Sequence, residues 1–405
     1  MKSSITRRQA ILAGSAVAGG AGIAAIVGMS GSTARPADLV NGWPAPRYGP
    51  RNAAHNPDAA PPRSDPEIEW SAGVPGVDSL IVSEELAFVA GEKSESTTSG
   101  IAAIEVTDGT VRWERAAPGG SLCATNGTLY IGADGGQAPD TPDVRAVETS
   151  TGQQVWSFET EATSDVSHLL AGNKTLYAGR LGYVDALARE DGELRWRRGI
   201  GNRGWSGTAL QEEELYFAGG GETIRFEPNS GLDALWSGEL RERWTTISGP
   251  DLPSLPVVTG KRVLVGGLNP TEPQRVVAYD RASGEIDWST SPLGDRVQRP
   301  AVRGPLGYSR TPNFGGTDPK GGLLAFELSS GESVWQRSLS APTVPPIAAG
   351  DVVVAGTKEG VVRGFDADDG TPLWVVELES EVRTLAAAGT SVFVGTQNGL
   401  LTMIR

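Results

Sequence analysis

Residues 199 to 204 read Gly-Ile-Gly-Asn-Arg-Gly, the letters of a dinucleotide fingerprint. That chemistry needs a helix after the glycines, so that its N-terminal amides face a pyrophosphate. Here a loop and the alternating stretch "ELYFAG" from Glu214 follow instead. The acids of "DADDG" from Asp366 have the density of a calcium loop, yet they sit inside a pattern that recurs along the chain and read as a turn. The two histidines, His55 and His168, lie far apart without cysteine companions, the wrong arrangement for zinc. Cys123 is the single cysteine, which removes any internal disulfide framework and leaves it as a small buried apolar side chain. No Gly-x-Ser-x-Gly elbow for a nucleophile occurs. The sequence therefore names no catalytic residue, no metal ligand and no cofactor.

What does recur at fixed spacing is tryptophan and glycine. "AIEVTDGTVRW" ends at Trp113, "AVETSTGQQVW" at Trp156, "ALAREDGELRW" at Trp196, "AYDRASGEIDW" at Trp288, "AFELSSGESVW" at Trp335 and "GFDADDGTPLW" at Trp374. A looser copy, "RFEPNSGLDALW", ends at Trp236 with one extra residue. Each copy reads as a strand, an acidic residue, a turn and a second strand carrying Trp. Gly109, Gly152, Gly192, Gly231, Gly284, Gly331 and Gly370 suit the positive-φ position of that turn, and the Ser, Thr or Asp before them can bond back to its amides. Glu105, Glu148, Glu227, Asp280, Glu327 and Asp366 precede their Trp by eight or nine residues, with Ala188 breaking the series. A carboxylate repeated this often is structural, whereas a catalytic one appears once. Each Trp offers about 150 to 250 Å² to bury against a neighbouring unit.

These elements must be held by something, and a second series shows what. Short alternating strands begin at Leu86, Thr128, Thr175, Glu214, Arg262, Leu306, Val352 and Val392. That is one more than the Trp copies. The mismatch resolves if the ring is split, with "GLLTMIR" at the C-terminus and "PEIEWSAG" near the N-terminus, which carries Trp70, sharing one unit. Residues 66–405 then hold eight units of about 42 residues, the size of a four-stranded propeller blade. The predicted fold is all-β, an eight-bladed propeller closed by both termini, and 54 glycines with few aromatic residues fit it.

This repeat resembles the pyrroloquinoline-quinone-like (PQQ-like) family of eight-bladed propellers, whose blades carry Ala-x-Asp-x-x-x-Gly-x-x-x-Trp. The segment "WPAPRYGPRNAAHNPDAAPP" from Trp43 resembles the lead-in found before such propellers, and its Pro and Asn content reads as an extended strap over residues 35–65. The resemblance implies one of two functions. Quinoprotein dehydrogenases of the family stack their cofactor between a Trp and, commonly, a disulfide of adjacent cysteines, with calcium held by Glu, Asn and Asp. The other branch consists of non-catalytic scaffolds such as those of outer-membrane assembly. One cysteine cannot make that disulfide, and this chain is spent almost wholly on minimal blades, so the scaffold branch is the expectation and a PQQ-dependent dehydrogenase the alternative.

Residues 1–34 read as an export signal: Arg7 and Arg8, then an apolar Gly/Ala stretch, then Ser32-Thr33-Ala34. The pair resembles a twin-arginine signal, with Ala10 where that family prefers Phe. An uncleaved anchor is the other reading, though so much Gly and Ala makes a poor span. Without Lys2, Arg7 and Arg8 the 35 basic residues fall to 32 against 49 acidic ones, a net charge of −17. Nucleic acid is thereby an unsuitable partner. Only six of the basic residues are Lys, a bias that fits either a surface kept hydrated in concentrated salt or a GC-rich genome.

Against this acidity, several long loops hold Arg198, Arg203, Arg241, Arg243, Arg296, Arg299, Arg303 and Arg310 with Trp205, Trp244 and Phe314. Arg and Trp are favoured interface anchors and Arg forks suit carboxylates. The expectation is one face that binds an acidic protein segment or an anionic surface glycan; the plainer reading is that these arginines pair with nearby Asp and Glu. Asn126 and Asn173 head two sequons at equivalent hairpins. Taken together, the chain reads as an exported, monomeric binding scaffold at the cell surface, membrane-proximal at most.

Overall fold

The structure, a computed structural model, describes residues 42–92, 99–116, 120–125, 127–133, 142–159, 165–180, 183–199, 207–212, 214–219, 222–228, 240–246, 252–268, 275–291, 293, 299–311 and 320–405. Eight antiparallel sheets form a ring. Blade 1 runs through Ser79–Val82, Leu86–Glu92, Ser99–Glu105 and Val111–Ala116. Blade 2 is Leu122–Thr125, Thr128–Gly132, Val144–Glu148 and Gln154–Phe158; blade 3 is Val166–Ala171, Thr175–Arg180, Tyr183–Ala188 and Leu194–Gly199. Blade 4 is Gly207–Gln211, Glu214–Gly219, Glu222–Pro228 and Leu240–Thr246. In blade 5 the first position is shared by Leu252–Pro253 and Val257–Val258, before Arg262–Leu268, Val276–Asp280 and Ile286–Ser289. Blade 6 is Ala301–Arg303, Leu306–Thr311, Lys320–Glu327 and Ser333–Ser340; blade 7 is Ile347–Ala349, Val352–Gly356, Val361–Asp366 and Pro372–Glu377. Blade 8 takes Val382–Ala388, Ser391–Thr396 and Leu400–Ile404 from the C-terminus and its outer strand, Ile68–Gly73, from the N-terminus. The split ring read from the sequence is therefore the observed closure, and it pairs Ile68 with Ile404 and Trp70 with Met403.

The first strands of successive blades lie beside one another around the axis, and the first two strands of each blade are apolar on both faces because blades cover them from either side. Across blades 1, 2, 3, 5, 6 and 7 an aromatic or aliphatic residue, a small residue and the Trp stand in one row, while in blade 8 Met403 takes the middle place between Phe393 and Trp70. Examples are Phe88, Ala103 and Trp113, or Tyr308, Ala325 and Trp335. The tilted ring pairs of 5.9 to 6.4 Å in blades 1, 2, 3, 4, 6 and 8 follow from that row. Trp113 Nε1 then donates to Thr149 O of blade 2, Trp156 to Arg189 O of blade 3, Trp288 to Leu328 O of blade 6 and Trp335 to Ala367 O of blade 7. Trp70 does the same across the closure, to Val106 O of blade 1.

The receiving turn is built by its glycine. At Gly370 φ is +71° and a Cβ would lie 2.6 Å from the Trp335 ring, so both the backbone conformation and the approach of the ring exclude a larger residue. Its amide closes the turn on Asp366 O, while the Asp366 carboxylate accepts from Asp368 N and Asp369 N. The longer Glu148 and Glu327 reach the hydroxyls of Thr151 and Ser329 instead.

Blade 4 departs from the sequence reading. Trp244, not Trp236, stands in the docking row: it lies opposite Arg225, packs at a tilt against Tyr216 and donates to Arg281 O, and a Cβ on Gly284 would lie 2.6 Å from its ring. Trp236 and Gly231 lie outside the described residues. The long loop to which the sequence reading assigns Arg241, Arg243 and Trp244 contains the outer strand Leu240–Thr246, so the copy carries an insertion longer than one residue. Arg225 replaces the small residue of most other rows and is held by Glu214 and Glu227.

Candidate functional site

The course of the strap is what the sequence reading left open. Residues 43–56 thread the axis of the ring, binding the inner edges of the first strands. Trp43 and Val82 exchange backbone hydrogen bonds of 2.6 and 2.8 Å in blade 1, and Ala124 N of blade 2 donates to Pro44 O. The chain continues past blades 4, 5, 6 and 7, where Leu210 N, Val258 N, Val302 N and Ala348 N donate to Pro50 O, Arg51 O, Ala53 O and Ala54 O. His55–Asn56 adds a parallel strand to blade 7, and the Asn56 amide reaches Ala387 O of blade 8. The path bends so sharply that Tyr48, Asn52 and Ala54 adopt φ of +73, +56 and +46°, a conformation that persists only when its surroundings impose it. The strap then leaves over blade 8, and Pro62 O receives Trp374 Nε1 at 2.7 Å. The strap thus gives Trp374 the carbonyl that docking turns give to the Trp of other blades.

With the axis filled, the face bearing the entries to the first strands keeps a polar funnel of about 370 Å³. Arg47 from the strap, Ser79 and Asp78 from blade 1, Ser121, Ser167 and His168 from blades 2 and 3, Arg299 before blade 6 and Arg383 of blade 8 line it. Arg47 is buried and its guanidinium donates only to carbonyls, Arg299 O at 2.9 Å, Pro300 O at 2.7 Å and Pro346 O at 3.4 Å. Burial, with Arg299 and Arg310 nearby, pushes it down to about 9, so it stays charged at neutral pH. Arg299 is the exposed member. His168 is buried and pushed down to about 4 by desolvation. It is thus neutral at pH 7, and its Nε2 donates to Thr208 O at 3.1 Å because a carbonyl only accepts. A smaller set of groups, Tyr48, Asp58, Glu84 and Arg405, borders a wider hollow on the opposite face.

The sequence groups its arginines on one face; the structure does not gather them. Arg303 ends the first strand of blade 6 and bonds Gly350 O and Asp368 on the face that carries the docking turns. Arg299 and Arg310 stand at the other end of that blade, Arg310 donating to Thr343 O. Arg198 pairs with Glu242 at 2.6 Å and Arg243 with Glu227 at 2.6 Å. Trp244 is between blades, as above. Arg203, Trp205, Arg296 and Phe314 lie outside the described residues, as does the side chain of Arg241. For Arg198, Arg243 and Arg303 the plainer reading, local pairing, is what the geometry has. Asn173 is exposed at its hairpin tip and its carbonyl accepts from Arg189; Asn126, Arg7 and Arg8 lie outside the described residues.

Sequence reasoning missed Arg47 and the axial course of its segment. The available signal was the polar side chains of the strap, Arg47, Asn52 and Asn56, all of which are buried. For Trp244 the signal was the Arg-Trp pair that it shares with Trp113 and Trp196.

The described residues lack the disulfide and the calcium carboxylates that the resemblance attaches to the quinone site of the dehydrogenases. Cys123 is buried in the first strand of blade 2, its thiol pushed up to about 11 by desolvation. Among the described residues no three His, Cys, Asp or Glu gather around a point where a metal would sit.

A family model described as outer membrane protein assembly factor BamB matches residues 61–209, 220–342 and 274–405. No curated protein matches the sequence. Among solved structures, BamB from Moraxella catarrhalis is 14% identical with a TM-score of 0.62, covering 84% of this chain and 100% of its own. The quinohemoprotein alcohol dehydrogenase from Comamonas testosteroni is 13% identical, TM-score 0.62, covering 93% and 82%. A europium-containing methanol dehydrogenase is 11% identical, TM-score 0.65, covering 90% and 98%. At these identities the likeness is one of fold, and it extends to BamB and to dehydrogenases alike.

Proposed function

This chain belongs to the family described as outer membrane protein assembly factor BamB, and we propose from that membership that it is a non-catalytic scaffold, exported by the twin-arginine route, that binds an acidic partner at the cell surface. The observation that carries the reading is the strap. The chain fills its own axis with residues 43–56, and what it leaves on the funnel face is a shallow hollow of about 370 Å³ lined by arginine, serine and aspartate. Such a hollow accepts a side chain or a small acid from outside; it has no paired cysteines to stack a quinone and, among the described residues, no carboxylate group to hold calcium beside one.

The test is calorimetric titration of the folded protein with pyrroloquinoline quinone, with and without calcium. The scaffold reading expects no calcium-dependent stoichiometric binding. Tight, calcium-dependent binding at one site per chain would overturn it and call for a dehydrogenase substrate screen.

A further inference from the structure

We propose that the floor of the funnel is a carboxylate site, in which Arg299 grips an acidic side chain of the partner and Arg47 sets the positive field beneath it. The proposal deepens the scaffold reading and rests on it: it names where on the propeller the acidic partner is read, and by which groups.

Charge carries the argument first. On a chain with a net charge of −14, several described arginines find acids: Arg63 with Asp351 and Asp366, Arg112 with Glu105, Arg198 with Glu242, Arg303 with Asp368, while others, such as Arg275 and Arg337, bond carbonyls outside the funnel. Arg47 and Arg299 do not find acids. Arg47 spends its donors on three carbonyls, and no described acceptor meets the Arg299 guanidinium. Two aspartates, Asp78 and Asp165, line the same funnel as the three arginines Arg47, Arg299 and Arg383, and Asp78 is held by Arg383 at 3.2 Å. A pair of cations with so little compensation inside a hollow is what an incoming anion relieves.

Geometry supplies the second, independent observation. Ser79 lines the funnel, is 5% exposed, and its buried hydroxyl has no hydrogen-bond partner. A buried hydroxyl without a partner is uncommon and costs free energy; a ligand oxygen in the funnel gives it one. A planar guanidinium suits a carboxylate because it donates two parallel hydrogen bonds. At about 370 Å³ the hollow takes one acidic side chain or a molecule the size of glutarate, and not a folded partner, so the partner itself lies over the rim.

The same chemistry is offered by a free small acid and by a peptide side chain, and two titrants separate them. Glutarate and a capped hexaglutamate peptide are titrated into the full chain by calorimetry, at the lowest salt at which it stays folded, with sulfate as the control anion. The expected result is saturable binding of the peptide at one site, weaker or equal for glutarate and absent for sulfate, with at least a tenfold loss for Arg299→Gln and partial rescue by Arg299→Lys. Arg303→Gln on the opposite face leaves it unchanged. Ser79→Ala, which removes only an unpartnered hydroxyl, weakens binding without lowering the thermal midpoint and so guards against a folding defect in the arginine variants. Peptide binding that is absent, or equal in wild type and Arg299→Gln, overturns the site. Glutarate binding with no peptide binding overturns the assignment to a partner side chain. None of these readings depends on calcium, so failure here is distinct from failure of the scaffold reading.

Discussion

At the scale of single residues, His168 joins packing to pH. Its folded pKa of about 4 lies below the ordinary 6.5, because burial disfavours the imidazolium. Between these values the unfolded chain binds the proton and the folded chain does not, so stability is complete above about pH 6.5 and is lost as pH falls to about 4, by about 3 kcal/mol at most. His55, also lowered by desolvation and by Arg303, adds in the same direction. Asp280, held below the usual carboxylate range by Ser283 and its turn amides, and Asp366, held there by Arg63, lose their contribution only below about pH 3.8. Thermal unfolding followed from pH 7 to 4 should show a falling midpoint, and His168→Gln, which keeps a donor for Thr208 O, should remove most of the slope. An unchanged slope would mean that His168 is solvated in solution. The docking residues were legible at this scale wherever spacing was regular: Trp113 to Gly152 and Trp335 to Gly370 are local patterns repeated. Trp244 was not, because strand register across an insertion is decided by which residue faces the next blade, and Trp236 fitted the spacing.

At the scale of elements, the strap does the work of a core. The inner edge of every first strand is an open row of amides and carbonyls, which in a ring face the axis, and the strap satisfies them at blades 1, 2, 4, 5, 6 and 7. Asn52 shows how local the need is: its amide donates to Thr208 O at 2.8 Å and to Pro256 O at 2.9 Å, bridging blades 4 and 5. Asn52→Ala leaves both buried carbonyls without that donor and should cost about 1 to 3 kcal/mol in urea unfolding. Asn52 also holds a positive φ of 56°, so Asn52→Gly, which eases the backbone but still drops the donor, should recover only part of the loss. A change within error for both variants would mean that the strap is not docked. Composition pointed to an extended segment here, through Pro and Asn; nothing in it distinguishes a segment that runs outside a ring from one that runs inside.

At the scale of the whole molecule, net charge and closure dominate. Eight blades are held by short-range packing, and the ring is completed by Ile68–Gly73 on Leu400–Ile404, where Glu67 and Arg405 exchange backbone hydrogen bonds of 2.7 and 2.9 Å. Opposing this, the acidic surface repels itself over distances that salt screens, from about 10 Å at 0.1 M to about 3 Å at 1 M. The expected outcome is a thermal midpoint that climbs steeply as KCl is raised from about 0.1 to about 2 M. A flat response would favour the genomic-composition account of the Arg bias over adaptation to salt.

The amino-acid sequence by itself determined the repeating units, their number, the docking glycines and the closure by both termini, because each follows from a local pattern of turn, strand and aromatic residue that the ring merely repeats. Only the tertiary structure decided which arginines are neutralised, which Trp docks blade 4, and that Arg47 comes to lie beside Arg299 across more than 250 residues of chain. Those depend on which segments the closed ring brings together at its axis, and no spacing along the chain encodes that distance.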